Sequence, residues 1–264
     1  MMIGKAGAAR TSICTADAAS ITVRGHDLCD DLMGHRSFTD FFFLSVAGHL
    51  PTEQQRFFLD VLLISIAEHG LTPNAQAARM TYAAGPDSLQ GALAAGILGC
   101  GTVILGAAEL AGGLLVKAKA RVDAGEDIDA VARDIAMTTR QAGGKLAGFG
   151  HPLHRPKDPR TERIMTLARD QGVSATHCAL ASAISTAADT AWGKPLTMNV
   201  SMGIAAVLLD LDFPASMIKA IPLLARTAGL LGHLAEEQRY PIGFLMAAKA
   251  EEAITYFPEQ EAGA

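Results

Sequence analysis

The chain of 264 residues is poor in charged and aromatic side chains: 19% of its residues are charged, 5% are aromatic, and half are hydrophobic. This composition excludes intrinsic disorder, because a chain of this length buries about three-quarters of its unfolded surface when it folds. Asp and Glu outnumber Lys and Arg by 27 to 22, and no basic block is present, which argues against a nucleic-acid-binding protein. We therefore expect small molecules as partners and no nucleic acid.

Cysteine is scarce as well. The spacing of the cysteines contains no CxxC redox motif and indicates no disulfide pairing. The four cysteines lie far apart, at Cys14, Cys29, Cys100 and Cys178. This pattern is typical of reduced thiols rather than of a disulfide framework. The first twenty residues contain no continuous apolar run and so resemble neither a signal peptide nor an anchor. We therefore expect a cytoplasmic protein.

Long hydrophobic runs are nearly missing, with one exception. The stretch between Asp87 and Glu109 is uncharged and long enough to be a candidate for a membrane-spanning helix. It is rich in Gly and Ala and also contains Ser, Gln and Thr, which suits close packing between helices. No second span accompanies it. We therefore predict a buried core helix or a dimer-interface helix here, and no membrane partner.

Helical signals run through most of the chain. Apolar residues recur three and four positions apart, as in Leu59–Ile66, and strand-like alternation is almost absent. Thr52 with Gln55 forms a capping-box pattern, and Asp158 followed by Pro159 is typical of a helix start. These signals together predict an all-α fold.

The segment Gly143–Lys157, GGKLAGFGHPLHRPK, does not fit a helix, because four glycines and two prolines surround two histidines. Such loops often carry function. His151 and His154 are close enough to share a metal ion, but no third ligand at a recognised spacing accompanies them, so we predict no metal site. His69 and His233 lie beside glycines near predicted helix ends, where a cation is favourable for structural reasons alone. The other histidines are expected on the surface or in loops: His26, His35, His49 and His177.

Six segments resemble the citrate synthase superfamily. The strongest is GFGHPLHRPKDPR at 148–160, which is similar to that family's Gly-x-Gly-His loop followed by Asp-Pro-Arg at the same spacing. The other five occur in the family's order: VRGHDLCDDL at 23–32, GHLPTEQQ at 48–55, AEHG at 67–70, NVSMG at 199–203 and ARTAGLLGH at 225–233. The closing GLLGH and the short length resemble the citryl-CoA lyase branch, including the lyase module of ATP-citrate lyase, more than full-length citrate synthase.

The resemblance implies a two-lobed, all-α homodimer, with a possible further association into tetramers, and an active site in the cleft between its lobes. The large helical domain would comprise residues 1–106 and 213–264, and the small helical domain residues 107–212. The ligands would be a small-molecule carboxylate and coenzyme A, bound as an acyl-CoA substrate, without a metal. The family's further arginine from the partner subunit has no clear match, because Arg239 is the last arginine of the chain.

The resemblance also implies roles for individual side chains around the carboxylate. His151 would face the oxygen at the reacting carbon, where it would donate or remove a proton. His69 and His233 would bind substrate oxygens. Arg160 and Arg226 would clamp the carboxylates in the bidentate way that guanidinium groups favour.

The coenzyme A side of the site and two departures from the family complete this picture. Gly148 and Gly150 would border the coenzyme, and Arg155 would lie where its phosphates pass. Ile104 replaces the histidine that stabilises the acetyl-CoA enolate in synthases. Ser201 occupies the position of the family aspartate that exchanges a proton with the acetyl carbon, and loss of such a group typically costs about a hundred- to ten-thousand-fold in rate.

These departures weaken synthesis more than cleavage, because protonating an enolate is easier than abstracting its proton. The leading hypothesis is therefore a citryl-CoA lyase-like enzyme that cleaves citryl-CoA, or a related 3-hydroxy acyl-CoA, to acetyl-CoA and an oxo acid such as oxaloacetate. One alternative is a catalytically degenerate family member that binds coenzyme A esters or carboxylates. Citrate synthase itself is the weakest of the three hypotheses.

Overall fold

The computed structural model describes residues 9–257, and helices dominate that part of the chain. The eleven α-helices found there are α1 Phe38–Ala47, α2 Glu53–Ala67, α3 Pro73–Ala84, α4 Leu89–Leu98, α5 Gly106–Asp123, α6 Ile128–Gln141, α7 Pro159–Asp170, α8 Thr176–Trp192, α9 Val200–Asp210, α10 Ala220–Glu237 and α11 Gly243–Ala253. The predicted all-α class is therefore confirmed.

The helix starts that matter for the site are those read from the sequence. Thr52 and Gln55 form the predicted capping box at the start of α2, each side chain accepting the other residue's backbone N–H. Asp158 caps α7 with Pro159 in its first turn. The segment Gly143–Lys157 is free of helix, as predicted.

A small sheet near the beginning of the described chain was not predicted. Its antiparallel strands are β1 Cys14–Ala16, β2 Ile21–Val23 and β3 His26–Asp27. Arg24 and Gly25 turn the chain between β2 and β3 with φ values of 50° and 86°. Strands of two or three residues are too short to show alternation, so no sequence pattern marks them.

The uncharged stretch between Asp87 and Glu109 is not the single helix that we predicted. It contains α4, a break at Gly99 and Cys100, a π-helical turn from Gly101 to Leu105, and the start of α5. By length and composition alone, the helical stretch Gly101–Asp123 could cross a membrane. The stretch is 39% buried, and its buried Ala and Leu side chains belong to the core cluster that also contains residues of α9.

The helices form two packed groups around a continuous core. Helices α5, α6, α7, α8 and α9 pack on one another, and α3, α4, α10 and α11 do the same, with α2 against α10. Helix α9 lies at the centre, where every residue from Val200 to Leu209 is buried. The largest core cluster includes residues from both groups, so the domain boundaries at 106/107 and 212/213 stay a prediction.

One histidine expected on the surface is buried. His177 lies in the first turn of α8 with its Nδ1 2.8 Å from Asp210 Oδ1. The Asp210 carboxylate also accepts the backbone N–H groups of Ala175, His177 and Cys178. Burial raises the pKa of Asp210, but the bonds from His177 and from these N–H groups outweigh it and lower the pKa to about 2. Asp210 thus does the capping that Ala175, at the cap position, cannot do.

Candidate active site

A cavity of about 670 Å³ lies where α2, α7, α9 and α10 meet the loop around His151. Six of the nine predicted site residues line it: His69, Gly150, His151, Arg160, Ser201 and Arg226. A cavity of equal volume beside the small sheet is lined by none of the predicted residues. The first cavity is therefore the candidate active site.

Two glycines shape the loop that carries His151, and both have positive φ values, 80° at Gly148 and 85° at Gly150. The loop pairs with the segment before α9 through Gly150 N–H to Thr197 O (2.7 Å) and Asn199 N–H to Gly148 O (3.0 Å). A Cβ at Gly148 would lie 2.8 Å from the Met202 side chain. Gly148 therefore packs against the core. It lines neither this cavity nor the second cavity of about 550 Å³ that also borders His151.

The hydrogen bonds of the His151 ring fix which nitrogen carries the proton. Its Nδ1 accepts the backbone N–H groups of Leu153 (3.1 Å) and His154 (2.9 Å). These two bonds favour a neutral ring with its hydrogen on Nε2, although Arg160 Nη2, which is itself a donor, lies 3.4 Å from that nitrogen. Burial lowers the pKa of His151, and the nearby His154 lowers it further. Neutral His151 is thus a hydrogen-bond donor to any oxygen in the cavity.

Three histidine rings meet here, although the sequence showed only two of them together. His69, at the end of α2, lies 5.6 Å from His151 and 5.5 Å from His154 between ring centroids, and the latter two are 4.3 Å apart. One ring nitrogen of each residue lies within 4.8 Å of the other two. Sequence spacing could not reveal this third histidine, because it comes from a distant part of the chain.

The hydrogen bonds of this histidine cluster nevertheless disfavour a metal ion. A metal-binding imidazole normally donates the hydrogen of its second nitrogen to an acceptor. In His151 that second nitrogen, Nδ1, instead accepts two backbone N–H groups, so a metal on Nε2 would require the ring to lose its last hydrogen. The guanidinium groups of Arg160 and Arg226 add positive charge beside His69. The absence of a metal stays a prediction.

His69 is held in place by its neighbour Glu68. One Glu68 oxygen accepts the backbone N–H groups of His69 (2.7 Å) and Gly70 (2.6 Å), and the other lies 3.0 Å from His233 Nε2. A Cβ at Gly229 would lie 2.1 Å from the carbonyl oxygen of Ala67, so α10 touches the end of α2 directly. His233 therefore faces Glu68 rather than the cavity, where we had predicted it to bind substrate.

The groups around His69 lower its pKa and so favour a neutral imidazole ring. Burial lowers the pKa of His69, and the charges of Arg160 and His154 lower it further. Its Nε2 is buried and has no hydrogen-bond partner within the described residues. Burial would raise the pKa of Glu68, but the N–H of His69 and the His233 ring outweigh it and lower that pKa. His69 thus offers an unused ring nitrogen beside a carboxylate that is ionised at neutral pH.

The two arginines of the cavity are in different states. Arg160 is paired with Asp158 through Nε to Oδ1 (3.0 Å) and Nη2 to Oδ2 (2.8 Å). Arg226, on α10, is only 5% exposed, and its Nε has no partner among residues 9–257. Burial lowers the pKa of Arg226. The nearby charge of Glu68 raises that pKa in turn, and the unpartnered guanidinium makes Arg226 a candidate ligand for a substrate carboxylate.

The positions that depart from the family also line this cavity. Ser201 lies in the first turn of α9, with its backbone N–H bonded to Asn199 Oδ1 at 3.1 Å. It is 6% exposed and has no histidine partner for its hydroxyl in the described part of the chain. Ile104, from the π-helical turn, adds an apolar surface. Neither residue supplies an acid or a base.

Arg155 lies in a neighbouring cavity on the other side of the His151 loop. This second cavity has a volume of about 550 Å³ and shares Gly150 and His151 with the first. Lys194 lines it together with Arg155. No sequence motif marks Lys194, so it was not among the predicted site residues. The two cations give the second cavity a positive charge beside the reacting centre.

Known proteins were compared with the chain at the level of sequence. Residues 56–242 match the family model described as citrate synthase, C-terminal domain. A Mycobacterium tuberculosis protein described as "Putative citrate synthase 2" is 29% identical over 184 residues, which are 69% of this chain and 47% of that protein. The alignment thus spans about half the length of this curated relative.

Solved structures extend the match over nearly the whole chain. The citryl-CoA lyase from Hydrogenobacter thermophilus superposes with a TM-score of 0.84 and 27% identity, covering 98% of each chain. The ATP citrate lyase from Methanothrix soehngenii, in complex with citrate and coenzyme A, gives a TM-score of 0.76 and 19% identity over 98% of this chain and 43% of that one. The chain belongs to the citrate synthase family.

Proposed function

We propose that this protein is a lyase that cleaves a 3-hydroxy acyl-CoA, citryl-CoA or a close relative, to acetyl-CoA and a 2-oxo acid. One observation carries the proposal: His69, His151 and Arg226 meet in a single cavity, while the position of the family aspartate holds Ser201. The similarity to a citryl-CoA lyase over 98% of both chains supports the same conclusion. Cleavage uses the groups that are present and needs least from the one that is missing.

The hydrogen-bond pattern assigns separate tasks to the two histidines. His151 donates its Nε2–H to the oxygen on the carbon that bears the hydroxyl, and so stabilises the carbonyl as it forms. His69 accepts the hydroxyl proton on its unpartnered Nε2, because its lowered pKa keeps the ring neutral. Of the two roles expected for His151, this division keeps the donor and gives up the base, which would require a hydrogen on the Nδ1 that faces two N–H donors.

The bond changes balance without any oxidant or reductant. The hydroxyl loses its proton to His69 and becomes a carbonyl, while the adjacent carbon–carbon bond breaks. The electron pair of that bond moves to the thioester fragment, which leaves as the enolate of acetyl-CoA. A proton from water completes the methyl group, so Ser201 does not have to act as an acid. Arg226 holds the carboxylate next to the reacting carbon.

Coenzyme A fits the neighbouring cavity in this proposal. Arg155 and Lys194 line that cavity and would attract the phosphates of the coenzyme. The cavity borders His151, so a thioester that extends from it would reach the reacting centre. The Methanothrix soehngenii structure contains both citrate and coenzyme A, which supports a carboxylate and a coenzyme side by side.

Several features of the whole molecule are part of the same proposal. We propose a cytoplasmic homodimer with a large domain of residues 1–106 and 213–264 and a small domain of residues 107–212. Leu98 and Val103, near the α4–α5 break, are 83% and 91% exposed, and an apolar surface of this kind suits burial against a second copy. Sedimentation analysis tests this point, since a monomeric mass would contradict it.

The test is to supply citryl-CoA and to follow oxaloacetate by its coupled reduction with NADH. The wild-type protein is expected to release oxaloacetate, and His151→Ala to lose the activity. His35→Ala is the matched control, because His35 is exposed and does not line the cavity. Full turnover by His151→Ala would refute the assignment.

Ser201 also motivates a second candidate function, a protein that binds coenzyme A esters or carboxylates without cleaving them. In that case citrate or coenzyme A would raise the melting temperature of the wild-type protein while no product appears. Ser201→Asp separates the two functions. Cleavage gained by this variant in an otherwise inert protein would show that only the acid–base group had been lost.

A further inference from the structure

Glu68 places a carboxylate where a helix disfavours one, directly after the last residue of α2. The carbonyl groups that end a helix carry partial negative charge, which opposes an ionised acidic side chain there. The last turn of α2 contains no basic residue that would offset this charge. The reason for a glutamate at this position therefore lies in its contacts with the rest of the fold.

The Glu68 carboxylate connects the turn after α2 with helix α10. Its Oε1 accepts the backbone N–H groups of His69 (2.7 Å) and Gly70 (2.6 Å), and these two bonds shape the turn that carries His69. Its Oε2 lies 3.0 Å from Nε2 of His233 on α10. Burial raises the pKa of Glu68, but these contacts outweigh it and lower that pKa. An ionised Glu68 thus bridges the two elements at neutral pH.

Three residues lie on one face of α10 at helical spacing: Arg226, Gly229 and His233. A Cβ at Gly229 would lie 2.1 Å from the carbonyl oxygen of Ala67 and 3.2 Å from Oε2 of Glu68, so glycine is required for this close approach. Arg226 lines the cavity about two turns before His233. The same helix face therefore carries the proposed carboxylate ligand and the partner of Glu68.

The ring of His69 has few anchors of its own. Its Nε2 is buried and has no hydrogen-bond partner in the part of the chain that the structure describes. The ring stacks on His154 at 5.5 Å and lies tilted at 5.6 Å from His151, and both of these neighbours belong to a loop rather than to a helix. The backbone of His69, which Glu68 holds, therefore sets where the ring lies.

From these contacts we propose that Glu68 and His233 are positioning residues for His69, which hold its Nε2 at a fixed separation from Arg226. The inference rests on the proposed lyase function, in which His69 takes the hydroxyl proton while Arg226 binds the adjacent carboxylate. These events concern neighbouring atoms of one substrate, so an error of about 1 Å in the position of the base costs up to about a hundredfold in rate. Neither Glu68 nor His233 lines the cavity.

The test removes the contact with His233→Leu and measures kcat and KM for citryl-CoA. His233→Ala takes its place if the leucine variant does not fold. We expect kcat to fall at least about tenfold, and KM to change less than about twofold because Arg226 stays within its helix. His233→Gln, whose amide can still donate to Glu68, is expected to restore most of kcat. An unchanged kcat in His233→Leu, or a glutamine variant as slow as the leucine variant, would overturn the inference.

A double-mutant cycle shows whether His233 acts through His69. In a His69→Gln background, His233→Leu should lower kcat no further, because the effects of residues that act as a unit are not additive. An equal loss in both backgrounds would indicate a general structural defect and overturn the inference. His177→Ala is the matched control: it removes a histidine–carboxylate contact of similar length, 2.8 Å, away from the cavity lining, and we expect kcat to stay nearly unchanged.

The imidazole signal of His69 gives a readout that needs no turnover. Proton–carbon correlation NMR spectra identify this signal by its loss in His69→Gln. We expect His233→Leu to move it, and His233→Gln and His177→Ala to leave it near its wild-type position. An unmoved signal in His233→Leu would overturn the inference even in a protein that cleaves nothing. A moved signal in a protein without lyase activity would instead refute the proposed function and leave the positioning of His69 intact.

Discussion

His151 and His177 are both shielded histidines, each with a hydrogen-bonded Nδ1, yet their surroundings differ. The Nδ1 of His151 meets two backbone N–H donors, whereas the Nδ1 of His177 meets the carboxylate of Asp210. The two donors favour the neutral tautomer of His151 that carries its hydrogen on Nε2, whereas the ring of His177 binds the carboxylate that caps the start of α8. The partners of the ring, rather than its burial, separate a candidate catalytic histidine from a structural one.

The largest expected effect is that loss of His151 lowers activity, whereas loss of His177 lowers stability. His151→Ala is expected to lower kcat/KM by about 10²–10⁴-fold, the usual cost of losing a proton-handling group, with little change in melting temperature. His177→Ala is expected to lower the melting temperature and to leave kcat/KM nearly unchanged. Steady-state kinetics and thermal unfolding of both variants check this, and a His177→Ala protein that folds normally but is inactive would contradict the distinction.

The next effect concerns His69, the second candidate catalytic histidine, whose position depends on Gly229. Gly229→Ala places a Cβ 2.1 Å from the Ala67 carbonyl oxygen. Because that oxygen belongs to backbone, we expect a destabilisation near the upper end of about 1–3 kcal/mol for overpacking, together with reduced activity from a displaced His69.

Gly232→Ala on the same helix is the control for Gly229→Ala. A Cβ at Gly232 meets nothing within 4 Å, so alanine there should leave activity unchanged. It should also stabilise the helix by up to about 1 kcal/mol. Urea unfolding of both variants measures the contrast, and equal free energies of unfolding would show that the close approach of α10 to α2 is unimportant.

The structural side of the comparison predicts a dependence of stability on pH. The pKa of Asp210 is about 2 in the folded protein, below the ordinary value of 3.8. Its contribution, about 2 kcal/mol, is therefore complete above pH 4 and disappears as the pH falls toward 2. Urea unfolding of the wild-type protein and Asp210→Asn should differ at pH 6 and converge at low pH. A constant difference would contradict this assignment.

The smallest expected effect is the pH dependence of activity that follows from the pKa values of His69 and His151. Burial and neighbouring positive charges lower the pKa of His69 and of His151 below 6.5, and catalysis requires both rings to be neutral. Activity should therefore stay constant near neutral pH and fall only below pH 6.5. The pH profile of kcat/KM measures this, and an acid limb at or above pH 6.5 would argue against neutral imidazoles as the reactive forms.

The sequence was most informative where local chemistry determines structure. Caps at Thr52 and Asp158 depend on neighbouring residues, and both were predicted correctly. The Gly143–Lys157 loop was also recognised, because glycine and proline act on the backbone locally. The break at Gly99 and Cys100 was missed, since an isolated glycine in an apolar run is compatible with either a continuous or an interrupted helix.

The candidate site could be predicted only in part. The resemblance to the family placed His69 in it, but residue spacing alone could not show that His69 meets His151 and His154. The contact between Glu68 and His233 joins residues that are distant in sequence, and no local pattern encodes it. The pairing of Arg160 with Asp158 involves near neighbours and was readable in principle.

The two hydrogen bonds that join Gly148 and Gly150 to the segment before α9 also affect the dynamics of the site. Phe149 and Met198 pair between them as a single antiparallel bridge. The His151 loop and the start of α9 should therefore open together rather than separately, and their amides should exchange with deuterium as one cooperative unit. A loop already ordered in this way should lose little conformational entropy of its own when a ligand binds.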